Sequence, residues 1–183
     1  VFQILSGVPS DLYETGKIDV VGVSTSGIER ASDPAGVFAG QLAQAPELNF
    51  SYIGFNSTKP PFDDPNIRRA LSYAIDKDKL VTVMFKNMVQ RADGILPPGL
   101  PGYNKDLKGV PFDVNKAKQL IAQSKYGSID KLPPLTITTS GEGGGISGLL
   151  EAIAFQWKQN LGLEVTIRAI EQERYSFHLN EEV

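Results

Sequence analysis

Residues 135–168 read LTITTSGEGGGISGLLEAIAFQWKQNLGLEVTIR, and the fold class turns on this stretch. Leu135, Ile137 and Thr139 alternate with their neighbours, the period-two pattern of a strand with one face turned inward. The chain then turns through Gly141 to Gly145, after which Ile146, Leu149, Leu150, Ile153, Ala154, Trp157 and Leu161 fall on one stripe. That spacing predicts a long amphipathic helix. Gly162 stands where a left-handed terminator belongs, since glycine adopts positive φ without a Cβ clash. Leu163, Val165 and Ile167 alternate with Glu164, Thr166 and Arg168 and predict a second strand. Strand, helix and strand in succession imply a parallel pair joined by a right-handed crossover, hence an α/β fold.

Outward from this unit, the next strongest signal is Asp63-Asp64-Pro65-Asn66. Asp64 suits a helix cap, and Pro65 fits the first turn, where its missing N–H costs nothing. Ile67, Ala70, Leu71, Ala74 and Ile75 follow at helical spacing, with Arg68, Arg69 and Ser72 on the wetter side. Asp76 caps a second predicted helix that buries Leu80, Val83 and Met84 and closes near Asn87. Asp113 caps a third, presenting Val114, Ala117, Leu120 and Ile121. Between them, Leu96 to Tyr103 holds three prolines and two glycines and reads as an irregular loop, because proline withdraws backbone donors. The β-branched and aromatic runs Ile18 to Val23 and Phe50 to Phe55 read as two further strands. Short helices and connections are expected from Thr25 to Leu48.

The chain has 183 residues, a length that suits one domain, and the reading is of a single domain over residues 1–183. Val1 is not an initiator and patterned sequence starts at once, so the chain reads as a piece of a longer protein, truncated at both ends. Hydrophobic residues make up 41% and charged residues 21%, proportions that support a packed core and argue against disorder. Eighteen Lys and Arg against twenty-one Asp and Glu give a net charge of -3. No basic surface is available for phosphates, so nucleic acid is not an expected partner. No run approaches the roughly 18 apolar residues of a membrane span. Cysteine is absent, which removes disulfides, thiolate metal sites and a thiol nucleophile from this segment.

Gly143-Gly-Gly-Ile-Ser-Gly148 fits the G-x-G-x-x-G spacing between a strand and a helix, with Glu171 a distant candidate for the ribose-binding acid. The glycine run satisfies such patterns by chance, and Glu142 sets a negative charge where phosphate would sit. No Lys-Ser or Lys-Thr pair follows, which excludes a P-loop. The loop therefore reads as a connection at the carboxyl edge of the sheet, where α/β folds bind ligands. His178 is the single histidine and reads as a surface residue. Asp63/Asp64 and Asp76/Asp78 look like paired catalytic carboxylates but are better explained as helix caps and first-turn charges. Ser6, Ser24 and Ser140 have no histidine in a recognisable motif, so a hydrolase triad is unsupported. Trp157, within the apolar stripe, reads as core.

The stretch Tyr52-Ile-Gly-Phe-Asn-Ser-Thr-Lys-Pro-Pro-Phe-Asp-Asp-Pro-Asn-Ile-Arg-Arg-Ala-Leu-Ser-Tyr-Ala-Ile-Asp-Lys-Asp-Lys-Leu80 resembles the family-5 extracellular solute-binding proteins, which include oligopeptide-, dipeptide- and nickel-binding receptors. Matches also run through Ser6-Gly7, Gly16 to Asp19, Leu96 to Tyr103, Asp113 to Ile121 and Trp157 to Val165. The resemblance implies a periplasmic-binding-protein-like lobe of type II, with a mixed sheet flanked by helices. It implies the second ligand-binding lobe of a two-lobed receptor, the first lobe being its missing partner. Such a receptor works outside the cytoplasm, in the periplasm or at the cell surface, anchored to the membrane, and delivers oligopeptides or dipeptides to the permease subunits of an ABC importer. No enzymatic step and no cofactor are implied. The ligand-binding positions implied are Tyr52, Asn56, Thr139, Ser140, Gly141, Glu142 and Arg174. Oligopeptide receptors often carry an aromatic residue where Arg174 lies. A dinucleotide-binding enzyme domain using Gly143 to Gly148 is the alternative, and an interaction module is a third.

Overall fold

The computed structural model describes residues 6–45, 47–141 and 147–181, apart from the side chains of residues 178, 180 and 181. The chain divides into two compact units, Val1–Pro46 and Glu47–Val183.

In the first unit, α1 spans Pro9–Glu14 and α2 spans Ile28–Ser32. Ile28 is the one residue of this unit among the described buried hydrophobics. Polar and aromatic contacts do much of the joining. Arg30 pairs with Glu14 at 2.7 Å and lies 5.1 Å from the centre of the Phe38 ring, which in turn meets Tyr13 at 5.8 Å. The Tyr13 hydroxyl donates to Gln41 Oε1 at 2.7 Å. The strand expected from Ile18 to Val23 is not formed. Val20 is 83% exposed, and no described segment offers this run a ladder, without which β-branched residues gain little from extension.

The second unit is built on α3 (Pro65–Tyr73), α5 (Val114–Gln123) and α6 (Gly148–Leu161). A short helical turn, α4 (Lys77–Lys79), runs directly into a π-helical turn at Leu80–Met84. Ile67, Ala70, Leu71 and Ala74 pack with Leu80, with Ala117, Leu120 and Ile121, and with Ile153, Trp157 and Leu161 in one apolar cluster. These are the stripes that helical spacing predicted. Truncating one such side chain to alanine typically costs 2–5 kcal/mol.

The caps also follow the sequence. Asp64 accepts from the Asn66 amide at 2.8 Å, Asp76 from Lys79 at 2.9 Å and Asp113 from Lys116 at 2.8 Å. Val83 departs from expectation and is 61% exposed, while Leu80 is buried and Met84 half-buried. The cause is the π-helical turn, in which the Phe85 amide donates to Leu80 five residues back. One extra residue per turn rotates the next side chains off the stripe. Lys86 and Asn87, both at positive φ, then end the segment where the sequence placed its close.

The α3 C-terminus shows why these elements share one core. A helix end leaves its last carbonyls without intrahelical donors. Here Trp157 Nε1 donates to the Leu71 carbonyl at 2.9 Å, the Asp113 amide to Tyr73 at 2.9 Å, and Asn160 Nδ2 to Ala74 at 2.9 Å. Gln156 holds both sides of Asp76, accepting from its amide at 2.6 Å and donating to its carbonyl at 3.3 Å. Thus α6 caps α3 with two side chains, Trp157 and Asn160, and holds the start of α4 with a third, Gln156.

Strands β1 (Leu135–Ser140) and β2 (Val165–Ile170) pair in parallel, with Leu135 opposite Val165 and Ser140 opposite Ile170. Between them runs α6, capped by Ser147 and ended by Gly162 at φ 72. The α/β expectation holds, with helices set against a parallel ladder. The run Phe50 to Phe55, by contrast, is not a strand. Its side chains still alternate: Ile53 and Phe55 pack against the core while Tyr52 is exposed. Finally, α7 spans Gln172–Glu181 and packs against β1. Among the described residues no helix is long and apolar enough to cross a membrane.

Candidate functional site

Because β1 and β2 run parallel and in register, their carboxyl ends arrive together at Ser140 and Ile170. The Gly141 amide extends the ladder by donating to the Ile170 carbonyl at 2.9 Å. Two residues beyond Ile170, α7 begins, with Arg174 in its first turn and the Tyr175 amide bonded to the Glu171 carbonyl at 2.8 Å. The fold therefore brings Thr139, Ser140 and Gly141 together with the start of the helix that carries Arg174. Glu142 lies outside the described residues, as do Gly143 to Ile146 and the side chain of His178.

Thr139 and Ser140 are half-buried. The Thr139 hydroxyl donates weakly to the Ser140 carbonyl at 3.3 Å. Arg174 is exposed. Among the described residues, neither the Ser140 hydroxyl nor the Arg174 guanidinium has a hydrogen-bond or ion-pair partner.

Tyr52 and Asn56 lie on a different segment, whose Ile53 and Phe55 rest on the apolar cluster that also supports Ile137 of β1. Tyr52 is 74% exposed and stacks on Phe50, ring centres 5.3 Å apart and planes 26° from parallel. Phe50 was not among the expected site residues. Its signal was the spacing of two, which puts both rings on one side of an extended chain. Asn56 is half-buried, and its Oδ1 accepts from the Thr58 amide at 3.0 Å and the Thr58 hydroxyl at 2.7 Å.

The acidic pairs serve structure. Asp64 and Asp76 are caps, as expected, while Asp63 pairs with Lys125 and Asp78 with Arg91 at 3.0 Å. The hydrogen bond from Lys125 holds the Asp63 carboxyl below the usual carboxylate range, and the same contact raises Lys125. Arg91 is partly buried, which opposes its charge, yet Asp93 and Asp78 outweigh that and raise it further. At the start of α6, the Ser147 hydroxyl already accepts from the Leu149 amide at 3.3 Å, so this donor is engaged by the chain itself. Trp157 is 2% exposed and belongs to the core as expected.

Comparison with known proteins places the fold in a family. Residues 6–182 match the family model of the bacterial extracellular solute-binding proteins, family 5. The chain is 40% identical over 86 residues to heme-binding protein A of Haemophilus influenzae, covering 47% of this chain and 16% of that protein. It is 35% identical over 83 residues to the dipeptide-binding protein of Escherichia coli, covering 45% of this chain and 16% of that protein. A periplasmic oligopeptide-binding protein of an ABC transporter from Borrelia burgdorferi, OppAIV, superposes with a TM-score of 0.58 at 26% identity, covering 70% of this chain and 25% of that one. The matched regions thus span at most a quarter of these relatives. With the motif, the parallel unit and the match over nearly its whole length in agreement, the chain belongs to the bacterial extracellular solute-binding proteins of family 5.

Proposed function

We propose that this chain is most of the second lobe of an extracytoplasmic, membrane-anchored receptor that captures oligopeptides or dipeptides and hands them to the permease of an ABC importer. The observation that carries the reading is the family match over residues 6–182, supported by a parallel sheet edge that ends in the half-buried Thr139 and Ser140 and against whose strand β1 the helix carrying Arg174 packs. Relatives named for dipeptides and oligopeptides support a peptide ligand. Another is named for heme, so the fold accommodates other solutes and the ligand must be read from the parent protein.

Binding needs no covalent step. Closure of the missing first lobe over this edge would remove water, and polar side chains with main-chain groups would hold the peptide backbone. The site residues are Tyr52, Asn56, Thr139, Ser140, Gly141, Glu142 and Arg174. An enzymatic dinucleotide reading gains nothing from the structure or the relatives.

Denaturing the full-length parent and weighing the released small molecules by mass spectrometry tests the proposal. Short peptides of mixed sequence are the expected outcome. Nucleotide in stoichiometric amount would overturn it.

A further inference from the structure

We infer that the stacked rings of Phe50 and Tyr52 form a subsite for an uncharged aromatic group of the solute. The inference rests on the proposed solute-binding reading and adds to it a chemical class and one residue, Phe50.

The segment that carries the rings is anchored from its opposite side. Ile53 and Phe55 pack against the apolar cluster, and in an extended run that turns positions 50, 52 and 54 outward. Two of these hold rings and the third is Gly54. Tyr52 is 74% exposed and Phe50 37%, with ring centres 5.3 Å apart and planes 26° from parallel. This is the spacing of an offset stack. Each ring limits the rotation of the other, so the pair presents an apolar surface of fixed shape. A Cβ at position 54 would lie 3.7 Å from Tyr52 Cε2, so any side chain there would rest on a ring edge that glycine leaves open.

The chemistry of the segment selects the occupant. Between Glu47 and Lys59 no residue carries a charge. A cation can sit on a ring face, but no carboxylate stands on this segment to hold one there. Among the described residues no hydrogen bond engages the Tyr52 hydroxyl, so the platform is apolar with one polar tip. A single exposed apolar side chain is ordinary, whereas two rings already held in a stack are preorganised to receive a third. An aromatic side chain gains more there than an aliphatic one, because ring pairs attract beyond the area they bury.

The test uses the full-length parent with trialanine and the three tripeptides that carry one phenylalanine and two alanines. Each peptide is titrated by calorimetry into the wild type, Phe50→Leu and Phe50→Tyr. In the wild type at least one phenylalanine peptide is expected to bind about tenfold more tightly than trialanine, the upper range of an aromatic pair. Phe50→Leu should cut that ratio to about a third, and Phe50→Tyr, which keeps the ring, should retain it. No preference in the wild type overturns the inference while leaving peptide binding in place. So does a ratio unchanged in Phe50→Leu, or a loss there that is equal for trialanine and the phenylalanine peptide, which would mark Phe50 as a structural support. Failure of all four peptides to bind any of the three proteins would instead remove the functional reading beneath it.

Discussion

Asp64 uses both carboxylate oxygens on backbone amides. One caps α3 through Asn66, and the other accepts from the Lys125 amide at 2.8 Å, tying the start of α3 to the chain leaving α5. Asn66 Nδ2 adds a bond to the Gln123 carbonyl at 3.3 Å. A serine at position 64 could cap the helix but could not reach both segments. The cap was legible in the sequence because it needs only local spacing. Its second bond was not, since it spans 61 residues. Beside it, Asp63 and Lys125 form an exposed pair with a definite pH signature. A carboxyl lowered in the folded state stabilises above its unfolded value of about 4 and loses that contribution as pH falls through the folded value. A raised lysine stabilises below its unfolded value of about 10.4 and loses its contribution as pH rises through the folded one. Asp63→Asn is therefore expected to lower the urea midpoint slightly at neutral pH, with the deficit closing as the pH falls through the lowered folded-state value and the wild-type carboxyl protonates. A deficit that does not shrink at all as the pH falls through the acid range would show that the pair does not act through charge.

At the scale of elements, the junction of α3 with α6 is the best-defined contact. Trp157→Phe keeps most of the apolar ring but deletes the donor to the Leu71 carbonyl, which then lies buried without that partner. The expected loss is about 1–3 kcal/mol, measured by chemical denaturation. A loss within 0.5 kcal/mol would mean that packing alone holds the junction. The sequence announced Trp157 as a core residue through its stripe. It did not announce the hydrogen bond, although Gln156 and Asn160, polar and four apart beside a buried tryptophan, were a usable hint. The β-branched runs failed for the opposite reason. Ile18 to Val23 and Phe50 to Phe55 have the composition of strands, but a strand exists only where a ladder partner exists, and the described chain supplies one solely to Leu135–Ser140 and Val165–Ile170. Helices carry their hydrogen bonds within themselves, so their signals were self-sufficient.

For the molecule as a whole, the strand, helix and strand unit places two carboxyl ends side by side, and that is what makes an edge site possible. The sequence pattern alone reached the parallel pair, while the family resemblance supplied the proposed site residues. What neither could supply was which groups remain unused, since that depends on partners such as Thr58 for Asn56 and Ile170 for Gly141. We propose that this edge grasps a solute and leaves it chemically unchanged. Its most direct test is calorimetric titration of a tripeptide into the full-length parent and into its Ser140→Ala/Asn56→Ala variant. The predicted result is saturable binding by the parent and at least tenfold weaker binding by the variant, for the loss of two polar contacts. Equal affinity in the two proteins, or release of a cleaved peptide from either, would contradict it.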